Sequence, residues 1–227
     1  MSAGVLFHFP FDPASRTARL ALGEARLEVT ETPVRPWEPD CPVRDLNPSG
    51  MPPVLQVTEA GKPLTLSETA AILGWLEDRS RDPFLMSVDP VERAETRRLI
   101  TWFDRRFTDE VNAVLLHERM EKPLLRLGPP EARALREGRE ALKHHLAMLE
   151  DLLLQRDWLA GRRMGQADLA VAAHVSVLDY FGEIPWAGWP SLKTWYSKLK
   201  SRPSFRPLLT DRFPGVPAAA HYTDLDF

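Results

Sequence analysis

The chain has 227 residues, of which 44% are hydrophobic, and a formal net charge of -3 at pH 7. That charge excludes bulk attraction to nucleic acid or anionic membranes, and the apolar share is enough to bury a core. The single cysteine, Cys41, excludes an internal disulfide. No apolar run reaches the roughly 18 residues of a membrane span. The N-terminus lacks a secretory signal, so we expect a cytoplasmic protein without membrane insertion.

The first third of the chain predicts the element order βαβ followed by ββα. Short β-rich runs at residues 5–9, 27–34, 54–57 and 64–66 predict four strands. Helical spacing of apolar residues predicts one helix at residues 14–25 and another after Ser67, which we expect to cap it. Mixed charges and prolines after residue 79 indicate a linker.

The rest of the chain has helical periodicity. Residues 91–119 and 131–155 each carry an apolar stripe, so they predict an antiparallel helical hairpin with a turn at residues 122–130. Residues 167–178 are apolar nearly all round, which is typical of a central buried helix. We therefore expect one domain at residues 1–80, a linker at 81–90, an all-helical domain at 91–209 and a tail at 210–227.

One motif defines the fold family. The string Asn47-Pro48-Ser49-Gly50-Met51-Pro52-Pro53-Val54-Leu55 resembles the thioredoxin-like domain of glutathione transferases. The resemblance implies a cis bond before Pro53, and an X-Pro bond is the one place where a cis peptide is accessible at low energy. It also implies a fold of class α/β plus all-α, with an N-terminal thioredoxin-like domain and a C-terminal helical bundle.

The second half of the chain extends this resemblance. Trp158-Leu159-Ala160-Gly161, Ala167-Asp168-Leu169-Ala170 and Arg202-Pro203-Ser204-Phe205 are similar to the family's helical domain, in the same order. Asp168 is placed to accept free N–H groups at the start of the buried helix. Gly165 stands where the family has Ser or Thr, so half of that capping box is missing.

The position of the family's catalytic hydroxyl or thiol is filled by Asp12. A carboxylate about 4 Å from a thiolate would repel it by about 4 kcal/mol at an effective dielectric near 20, which opposes activation of glutathione. The other interpretation is that Asp12 simply caps the first helix. In either case, Ser15 is the only nearby hydroxyl on the first turn, and it is the candidate nucleophile if the chain is an enzyme.

Pro52 and the pair Glu68-Thr69 define the rest of the expected cleft. In the family, the residue before the cis proline pairs its backbone with glutathione, whereas Pro52 has no N–H to donate. Glu68-Thr69 resembles the family's pair that receives the γ-glutamyl group at a helix N-terminus. Capping and packing of the helix explain the same two residues. We expect a vestigial glutathione cleft made of Asp12, Ser15, Pro52, Pro53, Glu68 and Thr69.

Other polar residues carry no cofactor signal. His144 and His145 point apart on a long helix, without the partners of a metal set, and are expected at the surface. His174 lies in the apolar helix and is expected to be a satisfied core histidine. Short basic pairs such as Arg105-Arg106 do not indicate nucleic-acid binding. We expect no metal, no cofactor and no catalytic residue.

The tail continues after the family's closing helix and mixes aromatic anchors with acids, ending in Tyr222-Thr223-Asp224-Leu225-Asp226-Phe227. It can fold back over the N-terminal domain, bind a partner, or do both. Together with residues 9–16, 34–39 and 46–53, this ending resembles the glutathione-transferase-like, FtsZ-binding division proteins of α-proteobacteria.

That resemblance implies a homodimer that lacks glutathione binding and that bundles and curves FtsZ filaments at the division site. By matching positions, it implies that Trp37, Glu118, Leu135, Asp224, Asp226 and Phe227 contact FtsZ or shape the contact. We expect an exposed Trp37 on a proline-rich loop, and Glu118 and Leu135 together near the tip of the hairpin. The alternatives are an active transferase or peroxidase using a residue such as Ser15, and a transferase-like scaffold for another partner.

Overall fold

The computed structural model describes residues 4–80 and 83–225. Within that range, the N-terminal part holds four strands, which are β1 (Gly4–His8), β2 (Thr30–Pro33), β3 (Val54–Glu59) and β4 (Lys62–Ser67). Three helices accompany them, namely α1 (Pro13–Glu24), α2 (Val43–Leu46) and α3 (Thr69–Arg79). The expected βαβ-ββα order is confirmed, with the short α2 as an addition. The linker predicted at residues 81–90 includes residues 81 and 82, which lie outside the described ranges.

The four strands form one mixed sheet in the order β2-β1-β3-β4. β1 runs parallel to β2 and antiparallel to β3, and β3 is antiparallel to β4. Leu6 of β1 lies opposite Leu55 of β3, and both are fully buried against the apolar side of α1. The parallel β1–α1–β2 crossover places the start of α1 just after the end of β1, and this is where the resemblance places the glutathione cleft.

β2 is shorter than the sequence pattern predicts. The prediction covered residues 27–34, but the strand begins at Thr30. Residues before it still close the end of α1, because Arg26 takes a left-handed φ of 52° and the N–H of Leu27 donates to Leu22 O at 3.0 Å. The residues just before β2 therefore end helix α1 instead of extending the strand, although their apolar and polar residues alternate.

The C-terminal part is helical, as predicted. One uninterrupted helical arm comprises α4 (Pro90–Thr101), π-helical turns at Trp102–Asn112, α5 (Ala113–Leu116), further π-helical turns at His117–Glu121, and α6 (Lys122–Leu125). The remaining helices are α7 (Ala132–Leu153), α8 (Gln166–Tyr180), α9 (Pro190–Lys200) and α10 (Arg206–Thr210). The first arm and α7 form the predicted antiparallel hairpin. The π-helical turns were not predicted, because their apolar spacing resembles that of an ordinary helix.

Helix α8 is the centre of the core, and every one of its residues is buried. Asp168 supports its start. One carboxylate oxygen accepts the N–H of Leu159 at 3.0 Å and the indole N–H of Trp195 at 2.8 Å, and the other accepts the N–H of Gly165 at 2.8 Å. Burial raises the pKa of Asp168 to about 6. The predicted capping role of Asp168 is confirmed.

The missing half of the capping box has a steric cause. A Cβ atom at Gly165 would lie 2.8 Å from the carbonyl oxygen of Leu85, closer than real Cβ atoms approach backbone. That same carbonyl accepts the N–H of Gln166 at 2.9 Å. Serine or threonine at position 165 would therefore separate α8 from the segment that precedes α4.

Candidate partner-binding cleft

Asp12 caps α1. Its backbone is extended, and its side chain accepts the N–H of Ser15 at 2.7 Å. Burial raises the pKa of Asp12, and the bonds from Ser15 act in the opposite direction. Of the two interpretations of Asp12, the structure shows the capping role directly. No thiol-activating group stands at this position.

Ser15 does not present a nucleophile to the cleft. Its side chain is fully buried, and its hydroxyl oxygen accepts the N–H of Phe9 at 3.1 Å. A serine nucleophile needs an exposed oxygen and a base within hydrogen-bond reach. The geometry at Ser15 instead stabilises the turn that joins β1 to α1.

The peptide bond between Pro52 and Pro53 is cis, as predicted, and both rings are buried. The surrounding loop is closed by its own polar groups. The amide of Asn47 donates to Met51 O at 2.8 Å and to the carboxylate of Glu68 at 3.0 Å. The hydroxyl of Ser49 donates to the same carboxylate oxygen at 3.0 Å. Position 52 contributes a carbonyl but no N–H to the edge of the cleft.

The pair Glu68-Thr69 is engaged by the protein itself. Glu68 has a positive φ of 73°, and its carboxylate oxygen is held by the loop described above. The hydroxyl of Thr69 donates to Ala14 O at 3.2 Å, which ties α3 to α1. The prediction that Ser67 caps α3 is wrong, because Ser67 pairs with Val54 in the sheet and Glu68 occupies the cap without a side-chain bond.

Trp37 is half-buried, so the expectation of an exposed tryptophan is wrong in degree. Its ring meets the ring of Phe9 edge to face, with 5.2 Å between the centroids. The loop around it is held by Arg44, whose guanidinium donates to Pro36 O at 2.9 Å and to Glu38 O at 3.3 Å. Trp37 is thus a partly exposed side chain that packs on Phe9, in a loop held by Arg44.

Glu118 and Leu135 do lie near the tip of the hairpin, but both are buried. Glu118 is 4% exposed, forms an ion pair with Lys122 at 2.8 Å, and accepts the N–H of Glu131 at 2.7 Å. The bond from Lys122 lowers the pKa of Glu118. Leu135 is 8% exposed and belongs to the core. Both side chains therefore lie inside the end of the hairpin rather than on its surface.

The tail docks on the fold up to Asp224; we call residues 213–224 the docked tail. Phe213 packs on Phe11 at a centroid distance of 5.3 Å, and the N–H of Ala219 donates to Tyr180 O at 2.8 Å. The ammonium of Lys200 donates to Asp224 O at 2.6 Å. Leu225 is 38% exposed. Asp226 and Phe227, two of the predicted contact residues, lie outside the described residues.

Tyr222 is the anchor of the docked tail. Its side chain is fully buried, its hydroxyl donates to Leu208 O at 3.0 Å, and it accepts a bond from Arg16 at 3.2 Å. Asp211 completes the network through contacts with Arg16 at 3.5 Å and Arg19 at 2.7 Å. The sequence did not reveal this network, because 195 residues separate Arg16 from Asp211 and no short motif connects them.

The histidine predictions have mixed outcomes. His145 is buried rather than at the surface, because it accepts the indole N–H of Trp102 at 3.0 Å and contacts Glu110 at 2.9 Å. His174 is a satisfied core histidine, bonded to Asn112 at 2.7 Å. Among the described residues, no cluster of three or more His, Cys, Asp or Glu side chains is arranged to hold a metal ion. In the same ranges, no helix combines the length and apolarity needed to cross a bilayer.

A thioredoxin-like domain joined to a helical bundle, with a cis proline at the cleft, defines the class of this protein. The family models for the glutathione S-transferase N-terminal and C-terminal domains match residues 13–79 and 115–203. The chain belongs to the glutathione S-transferase family, and the predicted fold class is confirmed.

Particular relatives narrow the position of the chain within that family. It is 60% identical to FtsZ-localized protein A of Caulobacter vibrioides (strain NA1000 / CB15N) over 222 residues, 98% of this chain and 97% of the relative. The solved structure of FzlA from C. crescentus superimposes with a TM-score of 0.94 at 59% identity, covering 99% of each chain. A glutathione S-transferase structure from Rhodospirillum rubrum F11 gives a TM-score of 0.92 at 40% identity, covering 99% of this chain and 100% of that one. The resemblance drawn from the sequence is confirmed.

Proposed function

We propose that this protein is a non-catalytic, glutathione-transferase-like division protein that binds FtsZ filaments in the cytoplasm at the division site. The observation that carries the proposal is the 60% identity, over nearly the whole of both chains, to a protein named for its localisation with FtsZ. The cleft supports it, because Asp12 is occupied as a cap, Ser15 is buried and Pro52 lacks a donor. Trp37, the end of the helical hairpin around Glu118 and Leu135, and the end of the tail then serve recognition.

A homodimer explains how such a protein acts on filaments. Two identical binding surfaces related by a two-fold axis can bridge neighbouring filaments, and bivalent attachment to a polymer gains avidity without a tight single contact. Bridging at a fixed angle would bundle and curve the filaments during constriction.

The decisive test is co-sedimentation of the purified protein with polymerised FtsZ. We expect the protein in the pellet only when polymer is present, together with an increase in right-angle light scattering from bundles. Sedimentation velocity without FtsZ should give the mass of a dimer. Protein that stays in the supernatant at every concentration would contradict the proposal.

The charge of the last residues should matter for binding but not for folding. We expect Asp226→Lys to weaken co-sedimentation by at least about tenfold, since losing a paired interfacial charge commonly costs about 2 to 5 kcal/mol. Asp151→Lys is the matched control, because it makes the same charge change at an exposed position at the far end of α7. Both variants should melt within about 2 °C of wild type. If Asp226→Lys unfolds the protein, the end of the tail is structural.

An active transferase is the second candidate, favoured by the 40% identity to a solved glutathione S-transferase. We expect glutathione at millimolar concentration to leave the melting temperature unchanged and to support no turnover of a chloronitrobenzene electrophile. A ligand at 100 times its Kd would stabilise the fold by about 2.7 kcal/mol, which corresponds to roughly 5 to 10 °C for a chain of this size. A shift of that size would favour the enzyme.

A gain-of-function variant provides the matching control. Pro52→Val restores the backbone N–H at the edge of the cleft and leaves Asp12 in place as a cap. Partial stabilisation of that variant by glutathione, with none in wild type, would show that position 52 blocks the ligand.

A further inference from the structure

Helix α9 ends on a buried ammonium group. Lys200 is the last residue of the helix, and its side chain is fully buried. A lysine at the end of a helix usually extends its charge into solvent, because a buried charge is costly. Burial lowers the pKa of Lys200 from its usual value. Helix formation and solubility do not explain this placement, so we looked for what the ammonium group holds.

The docked tail supplies acceptors for this ammonium group. Lys200 donates to Asp224 O at 2.6 Å and to His221 O at 3.4 Å. Both carbonyl groups belong to one turn, in which the N–H of Asp224 donates to His221 O at 3.1 Å. The charge also lies 5.6 and 6.0 Å from the ring centroids of Tyr196 and Tyr222, a distance at which aromatic faces attract cations. Lys200 therefore joins the end of α9 to this turn of the tail.

The other end of the same turn is held by α8. The Nε2 atom of His221 lies 2.8 Å from the carboxylate of Asp179, which is fully buried. The turn is thus fixed at His221 by Asp179 and at Asp224 by Lys200. Leu225 follows directly and is 38% exposed. The anchored turn therefore fixes the backbone just before the residues that the proposed function assigns to FtsZ binding.

We propose that Lys200 is a positioning residue for FtsZ binding, because it fixes the backbone from which Leu225 and the final two residues continue. This inference rests on the proposed function. Lys200 is fully buried, so it does not contact a filament itself, and its effect on binding passes through the tail. A segment that is already held in its binding conformation binds without the entropic loss of being ordered by the partner.

A role in stability alone is the competing explanation, and the physics of buried charge disfavours it. Moving a cation out of water costs free energy that new contacts only partly offset, so a well-packed apolar side chain is often as stable at a buried site. A buried polar group can instead select one arrangement of the chain over others. Lys200→Met keeps most of the side-chain length and removes the donors, so it separates position from stability.

The first test is co-sedimentation of full-length Lys200→Met with polymerised FtsZ. We expect binding to weaken about tenfold, because a loosened tail end must be ordered when it binds. The melting temperature should stay within about 3 °C of wild type. Lys198→Met is the matched control and should bind normally. It removes the same charge from the exposed side of the same helix, where Lys198 pairs with Asp157 at 3.3 Å.

A conservative variant tests whether the donors are what matters. Lys200→Arg keeps a cation with N–H groups for the same two carbonyl groups, so we expect its FtsZ binding to stay within about threefold of wild type. If Lys200→Met melts far below wild type, this variant decides the matter. A stably folded Lys200→Arg that binds as weakly as an unanchored tail would overturn the inference.

Hydrogen exchange measured by mass spectrometry tests the anchor without FtsZ. We expect Lys200→Met to speed the exchange of the amides at residues 223–225 about tenfold and to leave those of α8 unchanged, because only the last turn of the tail is released. Unchanged exchange in the tail would show that Lys200 does not hold it, which contradicts the proposal.

A double-mutant cycle connects Lys200 to the end of the tail. Lys200→Met and Asp226→Lys act on the same segment, so the double variant should lose about as much FtsZ binding as Asp226→Lys alone. Losses that multiply would show that Lys200 acts independently of the tail end, and its assignment as a positioning residue would be wrong.

Failure of this inference is distinguishable from failure of the proposed function. If wild type and Lys200→Met pellet equally well with FtsZ, the proposed function stands and the inference is overturned. If wild type does not pellet, the proposed function has failed and the link from Lys200 to FtsZ fails with it. Faster exchange in Lys200→Met would in that case still show that the anchor exists.

Discussion

Replacing Tyr222 with alanine is expected to lower the free energy of unfolding by about 3 to 5 kcal/mol, the usual range for removing a large buried aromatic side chain. Tyr222 is fully buried, and its ring meets that of Tyr180 at a centroid distance of 5.1 Å. The alanine variant loses this packing and the two hydrogen bonds that the hydroxyl makes with Arg16 and with the carbonyl of Leu208. Thermal and denaturant unfolding should show a melting temperature lower by roughly 10 °C.

Tyr222→Phe is the matched control. It keeps the ring and removes only the hydroxyl, so we expect a smaller loss of about 1 to 3 kcal/mol for the two missing hydrogen bonds. If Tyr222→Ala melts like wild type, the docked tail is not bound in solution. Comparison with Asp226→Lys separates the two proposed roles of the C-terminal segment, since we expect the change at Tyr222 to weaken the fold and the change at Asp226 to weaken FtsZ binding.

Replacing Asp168 with alanine is the second large change, and we expect it to lower the free energy of unfolding by about 3 to 5 kcal/mol. The carboxylate accepts three N–H groups, which are the buried ones of Leu159 and Trp195 and the partly buried one of Gly165. Each buried donor left without a partner costs about 1 to 3 kcal/mol, although the fold can relax around part of the defect. Chemical denaturation at pH 7 measures the loss directly.

Titration of the Asp168 carboxyl group should make the free energy of unfolding depend on pH. Because burial raises the pKa of Asp168 from 3.8 to about 6, the folded state binds this proton more tightly than the unfolded state does. The stabilisation that this tighter proton binding gives to the folded state is present in full below pH 3.8 and is lost as the pH rises through 6. Between pH 4 and pH 7, it should fall by about 2 kcal/mol.

Asp168→Asn isolates this contribution, because asparagine does not titrate and all other carboxyl groups remain. The stability difference between wild type and Asp168→Asn should therefore shrink by that amount as the pH rises. A difference that stays constant with pH would mean that the pKa of Asp168 is not raised by burial.

Local patterns were predictable because they depend on residues close together in the chain. Asp12 caps α1 through the N–H three residues later, and the cis bond before Pro53 belongs to a nine-residue motif. Strand and helix order follow from the spacing of apolar residues within single elements. The prediction that Ser67 caps α3 was wrong because it considered only the neighbouring residues. In the structure, Ser67 pairs with Val54 in the sheet.

Burial of single side chains was harder to predict. Trp37, Glu118 and His145 each follow a pattern typical of exposed positions, yet Phe9, Lys122 and Trp102 partly or fully enclose them. Whether a side chain on a helix or loop is covered depends on contacts with other parts of the fold, and Phe9 and Trp102 lie far from Trp37 and His145 in the chain. The exposed pair Leu125 and Leu127 is the complementary case, since apolar residues at a turn are left without a cover among the described residues.

By itself, the sequence determined the fold class, the loss of a donor at Pro52 and the absence of a free hydroxyl or thiol at Asp12, because each depends on residue chemistry within one motif. Only the tertiary structure decided that the docked tail is bound. Tyr222 meets Arg16 across 206 positions of sequence, and Asp211 meets the same arginine across 195. Contacts between residues so far apart in the chain produce no periodic pattern in the sequence, because they depend on the packing of α1, α8 and α10 around a common core.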